Sequence, residues 1–169
     1  MSSPASPEEG LKQCETYWKH AQQLEQFDKR FAYHIRYYGV LKGLKLQKQF
    51  PDAGNVRQRV VEELELLERN AEFGKMADAK SYVANAALRV FKAADDEDRG
   101  GRSSSLFTVA KNFLAASAFF EAMRQFEKDE SLPDIFVEKQ KYAQWRAREI
   151  MVAVRQGEQP PPPPANADS

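Results

Sequence analysis

Asp95, Asp96, Glu97 and Asp98 form the densest run of ionisable side chains in the chain, and oxygen-rich clusters of this kind bind hard cations. The spacing rejects a calcium loop. Opened at Asp95, such a loop would place Glu97 third and Gly100 sixth, but it would put Arg99 at the fifth position and Leu106 at the twelfth, where a bidentate glutamate is needed. The run is expected instead to be a solvated connector whose carboxylates pair with Arg99 and Arg102. Gly100-Gly101 lacks the strand and spacing of a phosphate loop. Cys14 falls on an apolar helix face, which predicts burial rather than nucleophilic work. His20 and His34 stand at no ligand spacing from each other or from Cys14, and His34, close to Arg36, reads as a half-exposed helical residue. No catalytic residue, cofactor or metal site is expected, so the chain reads as not an enzyme.

The bulk composition narrows the partners. In 169 residues there are 25 Lys plus Arg and 25 Asp plus Glu, so neither a nucleic-acid footprint nor a polybasic membrane patch is visible in the net charge. Apolar residues make up 42% and charged residues 30%, which is the balance of a folded chain with a solvated surface. Most aromatic residues occupy core-periodic positions, not basic exposed faces where single strands would stack. One cysteine excludes an internal disulfide, and the opening MSSPASPEEG lacks the basic and apolar parts of a secretory signal. A reducing, cytoplasmic location is expected, with no membrane-spanning segment.

The elements that carry these residues are helical. Ser6, Pro7 and Glu9 predict a capping box that starts a helix at residue 7, with Leu11, Cys14, Trp18, Ala21 and Leu24 along one face to about residue 29. A second helix, 31–48, carries Phe31, Ile35, Tyr38, Leu41 and Leu44, and its Gly39 and Gly43 lie on one face where a neighbouring helix can approach closely. Val56, Val60, Leu64 and Leu67 define a third, 55–70. Met76, Ala79, Val83, Ala86, Val90 and Ala94 define a fourth, 75–94, broken by the polar stretch 95–102. A fifth runs from Ser103 to Glu127 and a sixth from Asp134 to Gln156, with Gly157 as its C-cap. The expected fold is all-α, two tandem three-helix bundles packed together. Residues 1–6 are read as a disordered N-terminus, 7–73 as the first bundle, 74–157 as the second and 158–169 as the start of a flexible proline-rich linker. Capture of Pro160–Pro164 by a profilin, WW or SH3 domain is a further reading of that stretch.

Two helix faces suggest recognition. On the third helix, Glu62, Glu63, Glu65 and Glu68 flank Val61 and Leu64, so an incoming helix could seat leucines between apolar ridges while its basic residues meet carboxylates. On the sixth, Lys139, Lys141, Arg146 and Arg148 surround Tyr142 and Trp145 with positive charge. An alternative for that helix is direct binding to anionic lipid, which would make the chain a membrane-surface helical bundle.

Four segments in order go beyond a generic helix: AYHIRYYGVLKGLKL (Ala32 to Leu46), KAADDEDRGGR (Lys92 to Arg102), KNFLAASAFFE (Lys111 to Glu121), and KQKYAQWRAREI (Lys139 to Ile150) with Gly157-Glu158-Gln159-Pro160 after it. Together they resemble the N-terminal region of the Vta-type vacuolar sorting regulators, the LYST-interacting protein five family. The resemblance covers residues 7 to 160. It implies a pair of three-helix MIT (microtubule interacting and transport) modules that bind C-terminal helices of ESCRT-III subunits in multivesicular-body sorting, recruited from the cytoplasm to endosomes. By the same resemblance, the first module would take a leucine- and arginine-bearing tail helix at Val61, Leu64 and Glu68, as from the charged multivesicular body protein one type. The second would hold a longer amphipathic segment of the protein five type at Lys111, Leu114, Lys141, Gln144 and Trp145. Members of that family continue through a long linker to a C-terminal domain that stimulates the AAA ATPase which disassembles ESCRT-III. ATPase activation is therefore not expected of these residues. The segment 49–55 has no match in the resemblance, and the start of the third helix rests on periodicity alone.

Overall fold

Ser6 has extended backbone, and its hydroxyl accepts a hydrogen bond from the Glu9 N–H at 3.1 Å while the Glu9 carboxylate accepts from the Ala5 N–H at 2.8 Å. This near-reciprocal cap starts α1 (Pro7–Leu24) in the computed structural model, which describes residues 3–100 and 104–165. α1 stops short of residue 29 because Asp28 caps the next helix, accepting from the Phe31 N–H at 2.9 Å. The chain continues through α2 (Lys29–Gln49), α3 (Gly54–Glu68), a 3-10 turn at Ala71–Lys75, α4 (Ala79–Arg99), α5 (Leu106–Glu121), a second 3-10 turn at Ala122–Phe126, and α6 (Asp134–Gln156). The fold is all-α, with no strand among the described residues. Gly157 closes α6 in the left-handed region at φ 68°, and the Glu158 N–H reaches back to the Ala153 carbonyl at 2.9 Å.

The polar stretch after Ala94 does not break the fourth helix, as its composition suggested; α4 runs on to Arg99. Lys92 pairs with Asp96 at 2.8 Å and Arg99 with Asp95 at 2.9 Å, both one helical turn apart, so the charges brace the helix instead of solvating a loop. The expected partner Arg102 and the expected helix start at Ser103 lie outside the described residues. α5 is capped by the Ser105 hydroxyl, which accepts from the Thr108 N–H at 3.2 Å.

Contacts divide the chain into two compact units, Met1–Val83 and Ala84–Ser169. The division falls inside α4 and not at Gly74 because the first turn of α4 is tied to unit one. Tyr82 donates to the Asp28 carboxylate at 2.7 Å, and Arg30 pairs with Asp78 while stacking over the Tyr82 ring.

In unit one, glycines set the spacing of helices. A Cβ on Gly39 would lie 2.6 Å from the Trp18 indole nitrogen, and one on Gly43 would lie 2.7 Å from a Val60 methyl. α2 therefore packs closely against α1 through Gly39 and against α3 through Gly43, enclosing Cys14, Trp18, Val40, Val56, Val60 and Leu67. Arg36 is also interior. It donates to Glu63 of α3 at 3.1 Å and to Glu25 at 2.7 Å.

In unit two, Ala110, Ala116, Ala143 and Ala147 are buried and let α5 and α6 pack closely. α4 is held to them by large groups: the Phe91 ring meets Phe113 and Tyr142 at about 6 Å edge to face, and Asp98 accepts both arms of Arg146 at 2.6 and 2.9 Å. Arg146 is 1% exposed.

Gly39→Ala should lower unfolding free energy by about 1–3 kcal/mol through overpacking on Trp18, despite the roughly 1 kcal/mol helix-propensity gain, as read from the urea midpoint. Asp98→Ala should cost about 3–5 kcal/mol by stranding a buried guanidinium, whereas Asp95→Ala should cost under about 1 kcal/mol; thermal melts of the two variants separate these values.

Candidate functional site

Cys14 and His34 are both enclosed. Burial removes Cys14 from reactivity and pushes its thiol up to about 11. His34 is not half-exposed, as its place beside charged residues suggested, but 4% exposed. The Tyr33 ring packs edge to face on its imidazole at 5.2 Å, and burial pushes its pKa down to about 4, with Arg30 acting in the same direction and Asp28 and Asp78 against it. No group of three or more His, Cys, Asp or Glu side chains among the described residues is placed to hold a metal ion.

The apolar side chains left outside lie on helix flanks. On α3, Val56, Val60, Glu63 and Leu67 point inward, and Arg59 leans to one side, where Glu15 of α1 accepts from it at 2.8 Å. At about 100° per residue, Val61, Leu64 and Glu68 fall on the opposite flank, beside α2. Val61 and Leu64 are 47% and 37% exposed. The expected carboxylate rim is smaller than its sequence suggested. Glu63 is buried against Arg36, and Glu62 pairs with Arg59 at 2.6 Å, which leaves Glu65 and Glu68 as exposed acids on that side.

α2 adds exposed side chains of its own. Leu44 is exposed, not part of the core stripe, and so is Tyr37, whose ring stacks 6.3 Å from that of half-buried Tyr33. Tyr33, Tyr37 and Leu44 share one flank of α2 at four- and seven-residue steps. That second stripe was a usable signal.

On α5, Phe107, Lys111 and Leu114 share an exposed flank, with the Lys111 ammonium 5.6 Å from the Phe107 ring and Leu114 49% exposed. Gln144 of α6 donates to the Ser117 hydroxyl at 2.8 Å, which places it on the α5–α6 seam. Exposed Lys141 lies about 60° around α6 from Gln144 and about 40° from Trp145. Trp145 itself is about 100° from Gln144, away from that seam. Its ring lies 5.7 Å from Tyr142 and lines a shallow pocket of about 550 Å³ with Arg148, Val152 and Pro161. The structure thus sets Gln144 beside the α5 flank of Lys111 and Leu114 and leaves Lys141 next to Trp145 on the outer face of α6. Arg146 drops out of the expected basic surface because it is buried on Asp98, and Lys139 turns its ammonium over Phe91 at 5.1 Å.

Residues 158–165, read from the sequence as the beginning of a solvated linker, make contacts in unit two. The Pro161 carbonyl accepts from Arg146 at 2.8 Å and the Pro164 carbonyl from Arg99 at 2.5 Å. No helix among the described residues is long and apolar enough to cross a membrane.

Helical units with buried ionisable pairs and apolar residues exposed along helix flanks are the build of an all-α tandem-bundle protein. The particular family follows from the chain itself: a family model described as Vta1-like matches residues 13–156, and the chain belongs to that family. It is 32% identical over 96% of its length to an Arabidopsis thaliana protein named as a homolog of mammalian LYST-interacting protein 5. It is 29% identical over 89% of its length to a Bos taurus vacuolar protein sorting-associated protein VTA1 homolog, and 28% over 95% to one from Dictyostelium discoideum. The chain spans 37%, 48% and 29% of those relatives' own lengths, respectively.

His34 gives unit one a pH dependence. The unfolded chain takes up this proton near pH 6.5 and the folded chain only near pH 4, so stability is full above 6.5 and falls across that window by on the order of 3 kcal/mol. His34→Gln should remove this increment, so that the difference in urea midpoint between parent and variant narrows between pH 7 and pH 5.

Proposed function

We propose that the chain is a non-enzymatic adaptor of vacuolar and multivesicular-body protein sorting, in which two MIT-like bundles bind C-terminal helices of ESCRT-III subunits at the endosome surface. The observation that carries this reading is the exposed Val61–Leu64 ridge on α3, bordered by the exposed acids Glu65 and Glu68; α2 carries an exposed flank of its own with Tyr37 and Leu44. An amphipathic helix bearing leucines and arginines suits it: the leucines fill the furrow and the guanidiniums meet the acids at its edge. Vacuolar sorting names among the relatives support the same pathway.

In unit two, the α5–α6 flank with Lys111, Leu114 and Gln144 would hold a longer segment of the charged multivesicular body protein five type, with Lys141 and Trp145 engaged on the outer face of α6. Coupling to the disassembly AAA ATPase would come from a C-terminal domain of the longer protein. One helix in one furrow buries little area and binds weakly. Two furrows acting on a single polymer gain through effective concentration.

Leu64→Asp should weaken a synthetic ESCRT-III tail-helix peptide at least about tenfold, the size of one lost apolar anchor, as measured by calorimetry. Because Leu64 is partly exposed, the far-ultraviolet dichroism of the variant should remain that of the parent. Unchanged affinity with unchanged helicity would remove the furrow assignment.

A further inference from the structure

Pro161 and Pro164 are bound by guanidiniums from two different helices of unit two, Arg146 on α6 and Arg99 on α4. The spacing of the two carbonyls has a physical meaning. A run of prolines has φ held near −65° and winds as a polyproline II helix with three residues per turn and about 3.1 Å rise per residue. Carbonyls three apart therefore point the same way, about 9 Å apart. With no N–H to offer, these residues present only acceptors, and two fixed guanidinium donors suit that pattern.

Both donors are held in place by other bonds. Arg146 is locked by Asp98 through Nε and Nη2 and uses Nη1 for Pro161 and, at 3.3 Å, Glu149. Arg99 is locked by Asp95 through Nε, reaches the Tyr142 hydroxyl at 3.3 Å through Nη2, and uses Nη1 for Pro164. The Tyr142 and Trp145 rings stand 5.7 Å apart beside these donors, and Trp145 shares its pocket with Pro161. Aromatic walls with fixed donors are how proline-rich ligands are recognised.

We propose that the α4–α6 face of unit two is a polyproline-II-binding groove, occupied in cis by residues 159–165, and that a proline-rich extended segment of another protein binds by displacing them. This site is separate from the α2–α3 furrow; it shares Trp145 with the longer-segment site proposed for unit two. Its occupant is an extended strand, not an amphipathic helix. The cis segment makes the site self-gated, because a tethered ligand acts at an effective concentration on the order of millimolar.

The test uses the full chain. Ala165→Cys carries a nitroxide label, and buried Cys14 stays unlabelled. Paramagnetic broadening of the Trp145 indole and of amides around Arg99 and Arg146 is expected, and it should vanish in the labelled variant that also carries Pro161→Gly, Pro162→Gly and Pro163→Gly. A synthetic peptide of residues 158–165, EQPPPPPA, should then shift the Trp145 indole of the unlabelled triple variant at roughly tenfold lower concentration than in the parent. A Gly-Ser peptide of equal length should leave it unmoved. Broadening confined to residues after Gly157, or a Trp145 indole that EQPPPPPA does not move in the triple variant, overturns the proposal. An ESCRT-III tail-helix peptide titrated into the same sample reports on Val61 and Leu64 amides instead, so the two assignments fail independently.

Discussion

A buried arginine anchors each unit, and the cost of burying charge makes its partner obligatory. Arg36 reaches from α2 to Glu63 of α3 in the first unit, and Arg146 reaches from α6 to Asp98 of α4 in the second. Ion pairs of this kind add little net stability compared with apolar residues of equal volume, yet an unpaired member is strongly unfavourable. Their effect is on register. Asp98 meets Arg146 only if α4 continues one turn past Ala94 and at one rotation about its axis, and Glu63 meets Arg36 only if α3 turns its acidic flank inward. Helices whose amphipathic stripes would tolerate some rotation are thereby held in one phase.

That phase decides what stays outside. Where Gly39, Gly43 or a row of alanines lines a seam, the helices approach closely and the apolar residues on the outer flanks find no opposite wall. Leu44, Leu64 and Leu114 remain partly in water for this reason. A three-helix unit has too little interior to enclose every apolar residue of wide stripes. The exposed ridges are thus a geometric consequence of the same close packing that forms the cores.

Arg146 also links interior to surface. The guanidinium that satisfies Asp98 through Nε and Nη2 turns Nη1 to the Pro161 carbonyl and the Glu149 carboxylate, so the proline-rich segment rests on a group that the core already holds rigid. A donor fixed in advance loses little entropy when a ligand arrives. Trp145 and Tyr142 extend the same face with apolar surface.

Much of the architecture is legible in local pattern. Ser6-Pro7 with Glu9 and the glycine at 157 mark helix ends because capping needs only near neighbours, and the repeats of Val56, Val60 and Leu67 or of Val109, Phe113 and Phe120 mark inward faces because helical pitch is a local property. The ridge of Val61 and Leu64 was legible on the same grounds. Charged residues were not. A one-dimensional reading sends Arg36, Glu63, Asp98, Arg146 and the histidine at 34 toward solvent, since nothing in their neighbourhoods announces a partner 27 or 48 residues away. Local pattern was enough for six amphipathic helices, the N-cap of the first and the C-cap of the last. Only tertiary structure decided which charges are interior, where α4 ends and which side of α6 carries Trp145, because each depends on pairing between helices distant along the chain.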